Sequence, residues 1–261
     1  MVKRKRTDRE PRATDFVESL DRGLRLLQAF GERYSPLTLS EIAALAGLPR
    51  ATARRILFTL QHAGYVSSDG KLFAPTPHML TLAGAYLRSN QLVAVLQPAL
   101  DEIATSAQEI SSLAVLDGDD VVFIARGSPT RIFLGGVDIG YRLPSFCTAV
   151  GRVLLGRLGD AELKSRLSAM KRDALTPQTV TDPKRLVAVI TADRARGFSL
   201  VDREAEAHFR SIAVPVKRYD GAIVAGINIG AHVDRISTEE LQKRFLPLLR
   251  EYSEKVAPRL V

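Results

Sequence analysis

Cysteine and histidine are scarce in these 261 residues: Cys147 is the single cysteine, and there are four histidines. One thiol cannot staple a fold, and the histidines lie too far apart for zinc-ligand spacing, so no structural metal and no cofactor is expected. Such cysteine usage points to the cytosol. Long apolar runs are missing as well. Nothing approaches the roughly 18 uncharged apolar residues of a membrane-spanning helix. The basic start, Met1-Val2-Lys3-Arg4-Lys5-Arg6, runs into polar residues rather than the apolar stretch of an export signal. A membrane partner is therefore not expected.

What is present is an ordinary globular composition, 46% hydrophobic and 25% charged, which excludes disorder and collagen. Charge is uneven. Residues 1–75 carry 13 basic against 8 acidic side chains, and residues 76–261 carry 24 against 21. The excess in the first segment points to a polyanion partner, although a solubilising role would leave the same imbalance.

From Asp15 to Phe30, the side chains Phe16, Leu20, Leu24, Leu27 and Phe30 recur at helical steps and predict one buried face. Ser40 then offers a cap for a short helix burying Ile42, Ala43, Leu45 and Ala46, which Gly47-Leu48-Pro49 ends. A third helix, from about Pro49 or Arg50 to Ala63, turns Ile56, Leu57 and Leu60 inward and opens with arginines. Two short helices about a glycine-centred turn form a helix-turn-helix, whose second helix enters the major groove of double-stranded DNA. Arg50 and Arg54 are the base-reading candidates, because arginine forks two hydrogen bonds onto guanine, and Thr52 suits phosphate or a thymine methyl. Arg55 is expected closer to the core, on phosphate or supporting the fold. Gly64–Val66, the turn Ser67–Gly70 and Lys71–Phe73 read as a hairpin wing that places Ser68, Asp69 or Lys71 near the DNA backbone or minor groove. A small helical domain with a solvated basic face would show the same pattern.

Pro75-Thr76-Pro77 marks a boundary. The reading is a DNA-binding domain over 15–75, a linker helix over 76–91 and a second domain over 92–261. Helical patterns cover Met79–Leu87 and Leu92–Ile110, and this apolar stripe suits either domain packing or pairing of two chains, into a homodimer or a tetramer. Strands are predicted at Ser111–Leu116, Val121–Arg126, Thr130–Gly136, Ser199–Val201, Ser211–Lys217 and Ala222–Ile229. Helices are predicted at Thr148–Leu158, Asp160–Met170, Pro183–Arg196 behind a Thr181 cap, and Thr238–Val256. Hairpins interleaved with helices indicate an α+β domain with one antiparallel sheet.

Within that domain, residues 140–152 form a glycine- and proline-shaped loop leading into a helix N-terminus, where a small organic acid finds free amides. Arg142, Ser145 and Thr148 are its polar candidates, and Phe146 or Tyr141 the stacking ones. The alternative is that Thr148 merely caps the helix and Phe146 fills the core. Cys147 has no base nearby and reads as a buried hydrophobe or pocket-wall residue. His208, between Glu206 and Arg210, is structural or lines the pocket. Asn228, in a strand pattern, can turn its amide toward a ligand.

The stretches Ser19-Leu20-Asp21-Arg22-Gly23-Leu24, Leu39-Ser40-Glu41-Ile42-Ala43 and Gly47-Leu48-Pro49-Arg50-Ala51-Thr52-Ala53-Arg54-Arg55 carry a resemblance. So do Gly64-Tyr65-Val66, the segment from Leu143-Pro144 to Gly151-Arg152, and Ser211-Ile212-Ala213-Val214-Pro215-Val216. Together they resemble the IclR family of bacterial transcriptional regulators over nearly the whole chain. The wording around Cys147–Arg152 and Arg210–Val216 is most similar to the branch controlling degradation of aromatic acids through protocatechuate, 4-hydroxybenzoate or β-ketoadipate. The resemblance implies a winged helix-turn-helix, a linker helix and a GAF-like effector-binding domain, assembled as dimers or tetramers on a palindromic operator. It implies that Thr52, Arg54 and Arg55 lie on the recognition helix, and that Ser112, Leu143, Cys147, Thr148, Ser211 and Asn228 surround the effector cavity. Where many relatives carry a glycine, this chain has Ala207-His208-Phe209. Either His208 reads an altered ligand, or the segment has moved and the usual ligand is lost. The basic arm Lys3–Arg6 is extra, and follows the DNA backbone or is a solvated tail.

The expected function is a DNA-binding regulator, not an enzyme, whose operator affinity or activation is set by a small aromatic or dicarboxylic acid. An enzyme acting through Cys147 or His208 is the alternative, and it lacks a paired base, acid or metal. An architectural protein that bends DNA without a ligand also fits the charge.

Overall fold

The computed structural model describes residues 16–32, 35–129 and 138–260. The chain divides into two compact units between Tyr86 and Leu87. The expected strand Thr130–Gly136 and the basic arm Lys3–Arg6 lie outside the described residues.

The first unit holds helices α1 (Glu18–Ala29), α2 (Leu39–Leu45) and α3 (Arg50–His62), and a three-stranded antiparallel sheet in the order β1 (Leu37–Thr38), β3 (Leu72–Pro75), β2 (Val66–Ser68). The cap of α2 is Thr38, not Ser40. Thr38 Oγ1 accepts the Glu41 N–H at 3.3 Å and Glu41 Oε2 accepts the Thr38 N–H at 2.8 Å, so the reciprocal pair three residues apart fixes the start. Gly47 turns the chain from α2 to α3 at φ +62°, a conformation that costs other residues. Leu26, Ala29, Phe30, Ile42, Ala53, Leu57 and Val66 close the core. Of the expected stripe, Leu27 and Phe30 do pack on the core, but Phe16, Leu20 and Leu24 are exposed, and Leu26 and Ala29 complete the buried face instead. The helix has two apolar faces, and periodicity does not say which one its own core takes. Leu45 is exposed too.

Helix α4 (Met79–Ser89) follows the wing and buries none of its side chains. In the second unit, α5 (Gln91–Ala107) leads to β4 (Ile110–Asp117) and β5 (Asp120–Gly127). These are followed by β6 (Arg142–Pro144), α6 (Ala149–Leu155), α7 (Asp160–Ala169), α8 (Pro183–Arg196), β7 (Ser199–Asp202), β8 (Phe209–Lys217) and β9 (Ile223–His232). The last element starts as α9 (Thr238–Glu240), passes through a π-helical turn (Leu241–Phe245) and ends as α10 (Leu246–Val256). The expected unbroken helix is interrupted where Pro247 has no N–H for the ladder. The cap of α8 is Asp182, whose Oδ1 accepts the Arg185 N–H at 2.7 Å, rather than Thr181, because the cap stands directly before Pro183 at the first helical position.

The six strands form one antiparallel sheet ordered β6-β5-β4-β9-β8-β7. On one face, α5 and α10 supply Leu96, Leu100, Ile103 and Leu249 against Leu113, Ile212, Val214, Ile227 and Ile229. On the other, α6 packs Val150, Val153 and Leu154 against Ala114, Val121, Phe123 and Ala213. Behind α6, helices α7 and α8 bury Leu163, Leu167, Leu186 and Ile190.

Candidate functional site

On α3, Arg50, Arg54 and Arg55 are exposed while Ala53 and Leu57 are fully buried. At about 100° per residue, Arg55 falls on the side opposite Ala53 and Leu57, not near the core as expected; Arg54 stands on the flank between, and Arg50 is exposed at the start of the helix on the side nearer the core. Thr52 is half-buried. Among the described residues none of the three arginines pairs with a carboxylate, whereas on α1 Arg22 is tied to Glu18, and Arg25 to Asp21 at 3.0 Å. No acidic residue occurs between Glu41 and Asp69.

The wing is set by its one carboxylate. Asp69 Oδ1 accepts the N–H groups of Lys71 at 2.8 Å and Leu72 at 2.7 Å. These hydrogen bonds hold its carboxyl below the ordinary value, that from Leu72 most strongly. Gly70 takes φ +97°, and Lys71 is left exposed at the tip. The basic face and the wing thus belong to the same unit.

In the second unit, strand pairing lines up one row across the sheet: Ser199 opposite Ala213, Ala213 opposite Asn228, Asn228 opposite Ser112, and Ser112 opposite Arg126. Alternation turns this row toward α6, since Ala114 and Ala213 pack there while Leu113, Ile212 and Ile227 face the other way. The row is polar and buried. Ser112 and Asn228 keep 4% and 8% of their surface and Ser199 none. Among the described residues nothing hydrogen-bonds Asn228 Oδ1 or Ser199 Oγ. Such orphans cost about 1–3 kcal/mol each unless something else satisfies them. Arg126 closes the row, its Nη1 3.1 Å from the exposed carboxylate of Asp138. One pleat along, Ser211 faces Gly230, and a Cβ on Gly230 would lie 2.6 Å from the Phe209 ring. Gly226 is bare for a similar reason: a Cβ there would meet Val150 of α6 at 2.6 Å.

Ser112 and Asn228 are therefore side by side, with Ser211 next along the same face. The other expected residues stand elsewhere. Arg142 is on edge strand β6, opposite Val122, where it pairs with Asp117 at 2.7 Å and Asp120 at 3.2 Å. Phe146 and Cys147 are fully buried in the cluster of α7 and α8. Burial, and after it the Glu204 carboxylate, pushes the Cys147 thiol up to about 12. Thr148 caps α6, its Oγ1 accepting the Gly151 N–H at 3.2 Å, and Leu143 packs in the cluster beneath α6. His208 is exposed, its ring stacked on His232 at 5.8 Å.

Two polar row members, Arg126 and Ser199, were not among the sequence candidates. Arg126 is a lone charge ending the apolar strand Val121–Ala125, a signal that was available. Ser199 carried none. A buried ion pair supports the site from behind: Arg152 Nη2 meets Glu204 Oε2 at 2.6 Å, Arg152 Nε donates to the Phe146 carbonyl at 2.8 Å, and Glu204 Oε2 accepts the Val180 N–H at 2.9 Å. Among the described residues no three His, Cys, Asp or Glu side chains group as metal ligands, and no helix is long and apolar enough to cross a membrane.

Comparison with known proteins covers both units. The IclR helix-turn-helix domain model matches residues 19–70, and the model of the C-terminal domain of bacterial transcriptional regulator IclR matches residues 84–258. The chain is 41% identical over 247 residues to the Pca regulon regulatory protein of Pseudomonas putida, covering 94% of this chain and 85% of that protein. The crystal structure of a transcriptional regulator from Rhodococcus sp. RHA1 superposes with a TM-score of 0.80 at 40% identity, covering 93% of this chain and 97% of that one. The inducer-binding domain of the Acinetobacter PobR transcription factor, a double mutant in complex with 3-hydroxybenzoic acid, matches with a TM-score of 0.62 at 28% identity, covering 66% of this chain and 100% of that one.

Proposed function

The chain belongs to the IclR family of bacterial transcriptional regulators and is a DNA-binding regulator, and we propose that it answers to a small aromatic hydroxy acid bound over the polar row of its second unit. The observation that carries this reading is Asn228 Oδ1, buried beside Ser112 and, among the described residues, without a donor. Arg126 and Ser112 receive the carboxylate, and the ring hydroxyl donates to Asn228 Oδ1. Ser211 is a further hydroxyl on that face, and Leu143 and Thr148 wall it. The acid bound by the PobR inducer-binding domain has this chemistry.

On the DNA side, α3 enters the major groove with Arg54 and Arg55 on base edges, and Arg50, Thr52 and Lys71 hold the backbone. One such unit reads a short half-site, so the protein acts as a homodimer or a dimer of dimers on a two-fold operator. The exposed apolar side chains Phe16 just before α1, Leu20 and Leu24 of α1, and Leu80, Leu82 and Tyr86 of α4 supply surface for pairing. The acid acts by binding one arrangement more tightly than another.

Thermal melting with 3-hydroxybenzoate, 4-hydroxybenzoate, protocatechuate, β-ketoadipate, glyoxylate and pyruvate tests the ligand. A hydroxybenzoate at about a hundred times its Kd adds about 2.7 kcal/mol, a rise of several degrees. Asn228→Ala removes that rise while leaving the ligand-free melting point nearly unchanged. A response to glyoxylate or pyruvate alone, or to none of the acids, defeats the ligand assignment.

A further inference from the structure

Phe58 is out of keeping with its surroundings. It is 73% exposed, the largest fraction among the large apolar side chains described. It lies on α3, four residues after Arg54 and three after Arg55, which places it about 40° and 60° from them around the helix. It also rims an open groove of about 1100 Å³ between α1 and α3, so its ring is not packed against α1. A basic helix face with an aromatic ring at its centre calls for a partner that is anionic and yet offers an apolar contact.

Charge selects the partner. The 27 residues between Glu41 and Asp69 contain no carboxylate, and a second copy of α3 would set arginines against arginines. Duplex DNA offers phosphates on both sides of the major groove and, along its floor, one apolar group among the base edges: the C5 methyl of thymine. We propose that Phe58 reads sequence by packing its ring against a thymine methyl, beside the bases contacted by Arg54 and Arg55. This rests on the docking of α3 in the major groove proposed above.

The test is binding of the full-length protein to operator duplexes in which each thymine in turn is replaced by uracil, which removes the methyl and nothing else. Wild type loses roughly fourfold in affinity at one symmetry-related position, the worth of one buried methyl group. Phe58→Ala binds the thymine and uracil duplexes alike, and Phe58→Leu keeps part of the difference. Circular dichroism of both variants checks that the exposed position leaves folding intact. Retained discrimination by Phe58→Ala, or equal binding of every duplex by wild type, overturns the proposal. So does a change in self-association with discrimination unchanged, which assigns the ring to a second copy. Arg54→Ala and Arg55→Ala serve as the separate control: if both keep normal operator recognition, the docking of α3 itself is wrong, whatever Phe58 does.

Discussion

Glu109 stands at the corner between α5 and β4, buried, with Arg235 Nη2 2.8 Å from its carboxylate. Burial pushes its carboxyl above the ordinary 4.5, against the opposing pull of Arg235 and, more weakly, Arg244. The folded chain therefore holds this proton more tightly than the unfolded one. The stability this confers is complete below pH 4.5 and is lost as pH climbs through the raised folded value. Glu109→Gln removes that slope. Chemical denaturation of both proteins between about pH 4 and 7 should show wild type losing stability relative to the variant as pH rises; a relative gain would mean that Arg235 outweighs burial. Cys147 illustrates the same force without an opposing partner of comparable weight. With its thiol at about 12 it is protonated under physiological conditions and packs as an apolar side chain. The absence of a neighbouring base in the sequence already pointed there, but the depth of burial did not show.

Among the elements, α6 gathers several of the second unit's polar and close-packed contacts. It lies on a glycine of β9, is capped by Thr148, and holds the Arg152–Glu204 pair that ties Phe146, Val180 and the segment after β7 together. Both charges are buried, so Arg152→Met leaves Glu204 without its cation and costs about 3–5 kcal/mol, measured by urea unfolding. Adding Glu204→Leu restores part of the loss, because the penalty is the uncompensated charge rather than the missing bond. A surface pair such as Arg22–Glu18 is worth at most about 1 kcal/mol. The other lesson at this scale is α1, where a regular apolar period was legible and its partner was not. Phe16, Leu20 and Leu24 continue the repeat of Leu27 and Phe30, yet they are exposed, and Leu26 and Ala29 join Phe30 in the core.

For the whole molecule, a regulator of the kind proposed needs free-energy coupling between the unit that meets DNA and the unit proposed to bind the acid. Linkage makes that coupling reciprocal. The factor by which a saturating hydroxybenzoate changes operator affinity must equal the factor by which operator DNA changes affinity for the acid. Fluorescence titrations with and without the duplex measure both. Equal and non-unit factors are expected; two factors of one would leave the acid bound without regulatory effect.

The local chemistry of this protein was written in its sequence. The turn at Gly47, the run of arginines on α3, the Asp69-Gly70 wing tip and the strand–helix alternation of the second unit all depend on residues a few positions apart, so a linear reading finds them; the start of α2 was legible to within two residues, its cap being Thr38 rather than Ser40. The proposed effector face depends on residues far apart. Ser199, Asn228, Ser112 and Arg126 come from four strands, and only the order β5-β4-β9-β8-β7 sets them in one row, with Ala213 between Asn228 and Ser199. The same long-range packing sent Phe146 and Cys147 into the helical core and Arg142 to an edge. Periodicity fixes which side chains share a face; which surface covers that face is settled by the hydrophobic and polar contacts of the folded chain, and these connect residues a hundred positions apart.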